Sequence, residues 1–180
     1  MTSPLWINAR FVTQPLTGVQ RYAYEVARRL PDAHLISPAQ PKSEYSPLCE
    51  SPRFHRSALP IGSRPMAGHF WEQAILPFEL PGDALLWSPS GSGPLTVQRQ
   101  VLTIHDVACL EHPEWYSKAF ARWYGWLLPR LANRCRQILT VSEFSASRIH
   151  EVLGVPRDRI RVVPLAADDR FRPLPPTEMQ

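Results

Sequence analysis

Short apolar runs of strand type alternate with helix-patterned stretches along the chain, and this alternation limits the possible folds more than any other feature. The strand-type runs are Pro4–Asn8, His34–Ser37, Ala84–Trp87, Val101–Ile104, Gln137–Val141 and Arg159–Val163. A further short strand is expected around Arg53–His55. Several runs are apolar at nearly every position, as in strands covered on both faces of a parallel sheet. Strands and helices in alternation predict an α/β fold, a doubly wound parallel sheet of six or seven strands. In such sheets ligands bind in the crevice beyond the carboxyl ends of the strands.

Between these runs the chain carries helical periodicity. Val19, Tyr22, Ala23, Val26, Ala27 and Leu30 fall on one face of a helix that ends at Pro31. Thr17 stands at its N-cap position, with Gln20 at capping-box spacing. Residues 66–80 read as a second helix with Phe70, Trp71, Ala74, Ile75 and Phe78 on its apolar side and Pro77 shortening it. A third, about Trp115 to Cys135, is aromatic and basic, and Pro129 inside it predicts a kink against the carbonyl of Gly125. Ser142 caps a fourth, which Gly154 stops. Residues 38–65 are proline-studded and read as a long loop, and Ser88–Pro94 as a flexible loop of small residues.

Composition sets outer bounds. Hydrophobic residues at 44% and charged residues at 20% fit a globular domain with its own core, and a net charge of +4 favours anionic partners without pointing to nucleic acid. Cys49, Cys109 and Cys135 are widely spaced with no CxxC, so free thiols in a reducing cytoplasm are expected. No signal peptide is visible at the start of the chain, and no apolar run approaches the roughly 20 residues that span a bilayer.

Chemistry-bearing residues collect at expected strand ends: Thr17-Gly18, the Ser88–Gly93 loop, His105-Asp106 and Ser142-Glu143. In a parallel sheet all four lie on one rim. A glycine-containing loop leading into a helix N-terminus can present backbone N–H groups to an anion, although an ordinary cap fits the residues equally well. Neither GxGxxG nor GxxxxGK[ST] is present. His105 suits a polar substrate contact, a proton-transfer role, a metal ligand or a structural bond to a neighbouring loop. A metal site lacks partners, because only His112 stands nearby. Asp106 fits a supporting role, orienting His105 or capping the next turn. Glu111 and His112 are weaker candidates, and Ser142 has the context of a helix cap without the GxSxG of a nucleophile.

Taken in order, Thr17-Gly-Val-Gln-Arg-Tyr22, Val101-Leu-Thr-Ile-His-Asp106, His112-Pro-Glu-Trp-Tyr116, Ile138-Leu-Thr-Val-Ser-Glu-Phe-Ser145 and Gly154–Pro164 resemble a known family. The set is similar to the N-terminal domain of family-four (group 1) glycosyltransferases of the GT-B fold, mannosyltransferase-like members in particular. The resemblance covers essentially the whole chain, although Ala166-Ala167 stand where a glycine is more usual. It implies a Rossmann-like acceptor-side domain over 1–172, the start of an interdomain linker at 173–180 and a C-terminal donor-binding domain absent from this sequence. It further implies that Thr17, Gly18, Ser142 and Glu143 approach the donor diphosphate or the acceptor, and that His105 contacts the transferred sugar with Asp106 in support.

The activity so implied is retaining transfer of a hexose, mannose for example, with no metal and no cofactor. The donor would be a nucleotide-diphosphate sugar, held mostly by the second domain, and the acceptor a lipid-linked glycan or polysaccharide. The expected location is cytoplasmic, including the inner face of the membrane, with acceptor or membrane contact through the basic-aromatic helix and loop 38–65. Residues 1–180 alone are expected to be inactive. Two other readings remain open at this level: a non-catalytic sugar- or partner-binding module, and a small metal-dependent phosphohydrolase.

Overall fold

A computed structural model describes residues 3–59 and 65–167. Seven strands form one sheet: β1 (Leu5–Asn8), β2 (His34–Ser37), β3 (Phe54–Arg56), β4 (Leu85–Ser88), β5 (Gln100–Thr103), β6 (Gln137–Thr140) and β7 (Ile160–Val162). Their order is β3-β2-β1-β4-β5-β6-β7, and every pairing is parallel. The expected seventh strand is present, one residue later than its sequence position suggested. The helices are α1 (Gly18–Ala27), α2 (Ser46–Cys49), α3 (Pro65–Ala74), α4 (Leu76–Glu79), α5 (Ala108–Glu111), α6 (Lys118–Arg134) and α7 (Glu143–Leu153). The expected boundary at residue 172 and the linker after it lie outside the described residues.

The apolar strands are buried on both faces, as their composition requires. Ile7, Leu35 and Trp87 pack toward Tyr22, Ala23 and Ala27 of α1. Their neighbours Trp6, Ile36 and Leu86 pack on the other face with Trp71 and Leu76. A third cluster joins Leu102, Ile104, Ile138 and Ile160 to Leu127, Leu131, Ile149 and Leu153 of α6 and α7. Burying one such side chain is worth roughly 1.5–3 kcal/mol, so these three clusters supply the main drive to fold. At the end of α7, Gly154 takes φ 66°, a left-handed conformation that a side chain would strain, and its N–H closes on His150 O.

Several local expectations change. Residues 38–59 are not one open loop, because Ser43–Tyr45 and α2 fold back and bury Tyr45 and Leu48 in the α1-side cluster. The helix expected over 66–80 breaks at Ile75 into α3 and α4. Phe70 and Phe78, placed on its apolar side, are exposed at 60% and 87%. The core side of α3 instead holds Trp71 beside polar partners. Helix α6 begins at Lys118, capped by Ser117, and continues through Pro129. The Ser88–Pro94 segment is tied down rather than free. Gln73 Nε2 donates to Gly93 O at 2.7 Å, and Gln100 Nε2 donates to Pro94 O at 3.1 Å.

The strand order reverses direction at β1 and β4, and a buried polar network occupies that switch point. Glu72 of α3 is fully buried. Its Oε1 accepts from Asn8 Nδ2 at 2.7 Å and lies 3.0 Å from Arg10 Nε, a charge contact rather than a straight hydrogen bond. Ser92 Oγ donates to the carboxylate at 2.9 Å and accepts from Arg10 Nη2 at 2.7 Å. His69 Nδ1 meets Glu72 Oε2 at 3.1 Å. Gly68 makes room for this network: a Cβ there would stand 2.9 Å from Arg10 Cδ.

Burial alone would push the Glu72 carboxyl up, but the Arg10 charge, His69 and Asn8 outweigh it and hold the pKa at about 2. A carboxyl depressed from 4.5 to about 2 contributes stability that is complete above pH 4.5 and disappears as pH falls toward 2. The amount is on the order of 3 kcal/mol, within the range for breaking a buried pair. Urea unfolding of Glu72→Gln is therefore expected to show a lower midpoint than the parent at pH 7, with the gap closing as pH drops below 4.5. A gap that stays constant through that window removes Glu72 as the ionised hub.

Candidate functional site

All seven strands are parallel, so their carboxyl ends form a single rim, and two cavities open along it on either side of the first turn of α1. The smaller, about 380 Å³, collects Arg10, Thr17, Gln20, His69, Ser90, His105, Asp106 and an aromatic wall from α6. The larger, about 690 Å³, lies along α1 from Gly18 to Arg29 and is closed by Val163–Ala167. Three of the four strand-end groups read from the sequence thus converge here. The fourth does not.

His105 stands one residue past β5 plus Ile104, half-buried beneath α1. The edge of Tyr22 packs on its ring at 4.8 Å between centroids and 89° between planes. Its Nε2 lies 3.2 Å from Pro89 O. A carbonyl can only accept, so Nε2 carries the hydrogen and Nδ1 is left as a lone-pair acceptor. Burial pushes the pKa down, and the Pro89 carbonyl and the Asp106 charge only partly oppose it. The ring is neutral at pH 7. It therefore combines a structural bond to a neighbouring loop with a free nitrogen suited to a hydroxyl donor.

Asp106 Oδ1 accepts from Ala108 N at 2.9 Å and so caps the turn that begins α5. Thr17 occupies the N-cap position of α1, but its hydroxyl bonds the Gln20 side chain and makes no bond to the helix backbone, so the capping box does not form. Gln20 Nε2 in turn donates to Gln14 Oε1 at 2.8 Å. A Cβ at Gly18 would meet nothing within 4 Å. Among the described residues nothing requires a glycine there. The adjacent groove carries Arg21 and Arg29 against one carboxylate, Glu25, which leaves a net positive charge along α1 and just past its end.

Ser142 Oγ accepts from Ser145 N at 3.0 Å, the expected cap of α7. Glu143 is exposed and lies 3.2 Å from Arg157. Neither lines the two cavities. Glu111 pairs with Arg148, and His112 stacks on Trp115 at 4.0 Å, so these two candidates also serve elsewhere. Among the described residues no three His, Cys, Asp or Glu side chains gather as a metal site. The three cysteines are free thiols.

Sequence reasoning missed Arg10, His69 and Glu72. The signals were present: Asn8 and Arg10 directly follow a buried strand, and His69 and Glu72 sit at i,i+3 beside Trp71 on a helix otherwise read as apolar. Tyr124 was assigned to the α6 face, and its T-shaped contact with His69 at 5.8 Å brings that face into the smaller cavity. No described helix is long and apolar enough to cross a membrane.

Comparison with known proteins places the chain in a family. The chain is similar to "O-antigen chain mannosyltransferase B" of Escherichia coli, 25% identical over 186 residues that cover 93% of this chain and 48% of the relative. The chain thus spans about half the length of the curated relative it matches. The family profile described as Glycosyltransferase Family 4 matches residues 16–171, from the turn before α1 to beyond β7. With the whole Rossmann-like sheet beyond its first strand inside that match, the chain belongs to Glycosyltransferase Family 4.

Proposed function

We propose that this chain is the acceptor-side domain of a retaining transferase that moves a hexose from a nucleotide-diphosphate sugar to a lipid-linked glycan or polysaccharide. One observation carries the reading: two cavities of opposite chemistry share the first turn of α1. The larger has surplus arginine charge and an unobstructed glycine at a helix start, which suits a diphosphate. The smaller has a neutral imidazole and aromatic walls, which suits an uncharged sugar. Transfer requires these two parts of a donor to lie side by side. Mannose is the preferred hexose, by likeness to the mannosyltransferase above. Most of the nucleotide contact falls to a second domain, C-terminal to residue 172, so residues 1–180 alone bind without turning over.

The role of His105 is to accept a hydroxyl of the transferred sugar at Nδ1 while Pro89 holds the ring. Ser142 and Glu143 reach the donor or acceptor only from the margin of the rim. The exposed Trp126, with Arg130 lying 4.8 Å over its ring, and Trp115 give α6 and its lead-in a face for the inner membrane surface.

In the full-length transferase, His105→Ala is expected to lower kcat about tenfold or more with the unfolding temperature little changed. Residues 1–180 alone should show no turnover in the same assay. Unchanged kinetics remove His105 from the site. A Cβ at position 18 meets nothing within 4 Å, and Gly18→Glu sets a carboxylate beside the proposed diphosphate. Its donor KM should rise at least about tenfold at constant thermal stability, and an unaltered KM places the diphosphate elsewhere. Vesicle flotation should recover the protein with phosphatidylglycerol and not with phosphatidylcholine alone, and Trp126→Ala with Arg130→Ala should weaken recovery. Equal recovery on both lipids argues against an anionic membrane surface.

A further inference from the structure

The network at the switch point fixes the chemistry of a second imidazole in the smaller cavity. Glu72 is held ionised by Arg10 Nε at 3.0 Å and Asn8 Nδ2 at 2.7 Å, so both its oxygens can only accept. His69 Nδ1, 3.1 Å from Oε2, must therefore carry the ring hydrogen. In the neutral ring Nε2 is then a bare acceptor, and among the described residues no group bonds to it. The ring is held from the other side by Trp123 at 5.2 Å and Tyr124 at 5.8 Å. His69 lines the same cavity as His105, whose own bare nitrogen follows from its bond to Pro89.

Two fixed acceptors in one cavity select for a ligand rich in donors. The cavity offers little to an anion. Among the described residues it has one arginine, Arg10, which is neutralised by Glu72, and Asp106 adds negative charge at its edge. Tyr116, Phe120 and Tyr124 form a stacked ladder with centroids 5.2 and 4.3 Å apart, a surface matched to the polarised C–H face of a pyranose ring.

We infer that His69, with its tautomer set by Glu72, is the residue that accepts a hydroxyl of the acceptor glycan's terminal sugar, stacked on the α6 aromatic ladder. This rests on the transferase reading for the word acceptor, but not for the binding of a sugar. Glu72 is a positioning residue here, since it acts through His69 and touches no ligand.

The discriminating variant is His69→Asn, whose side-chain amide can still donate to Glu72 from near the Nδ1 position but places nothing at Nε2. In the full-length transferase it should raise acceptor KM about tenfold, the worth of one neutral hydrogen bond, with a smaller effect on donor KM. His69→Gln, which can return a polar atom near the Nε2 position, should recover part of the loss. An unchanged acceptor KM in His69→Asn, or a rise in donor KM instead, overturns the assignment.

A second measurement does not depend on transfer. Imidazole nitrogen NMR of the same full-length protein should show His69 Nε2 without a hydrogen. That resonance should shift on titration with methyl α-D-mannopyranoside and stay still with inorganic pyrophosphate. A response to pyrophosphate alone, or to neither, rejects His69 as a sugar contact. If the wild-type protein transfers no sugar but the mannoside shift appears, the transferase reading fails and the sugar site stands.

Discussion

A carboxylate with almost no access to water organises this domain. Glu72 stands where the sheet reverses its strand order, between the carboxyl ends of β1 and β4. Desolvating a charge there costs several kcal/mol unless every lone pair finds a partner. Asn8, Arg10, Ser92 and His69 supply those partners from β1 and its exit, the β4–β5 loop and α3. Each of those elements is therefore positioned by the same oxygen pair. The rim owes its shape to that agreement, since the apolar clusters beneath it fix how the layers stack but not where the loops end.

Charge divides the rim into two compartments without any barrier between them. On the α1 side, arginines outnumber their carboxylate partner, while on the α6 side the single arginine among the described residues is already matched. Each histidine facing the second compartment has one nitrogen committed to a fixed acceptor. Hydrogen-bond polarity thus sorts ligands as effectively as size. A hydroxyl fits where a phosphate would meet lone pairs.

Much of the fold could be read from the sequence because strand and helix periods depend on local alternation, which Val101–Ile104 or Gln137–Val141 display without help from the rest of the chain. His105 was legible for the same reason: a polar residue that ends an apolar strand must emerge at the rim. Arg10 and Glu72 were not, because their meaning lies in a contact between positions 62 residues apart, and either alone reads as a surface charge. Phe70 and Phe78 failed in the opposite direction. Their apolar character suggested burial, but breaking the helix at Ile75 and seating Glu72 inward turned them to solvent. Ser142 was correctly seen as a cap, and its claim on a ligand weakened once the cap had used its oxygen.

Gly68 has a consequence for how this domain can change over time. The space beside its backbone is filled by the aliphatic part of Arg10, so a larger residue at 68 is tolerated only if position 10 shortens. Shortening Arg10 leaves Glu72 charged and unmatched, which in turn requires losing the carboxylate that sets His69. Positions 10, 68, 69 and 72 therefore form one heritable unit. Among related sequences they should be exchanged together or kept together, and a chimera that splices α3 from one lineage onto β1 of another would inherit the mismatch in its core.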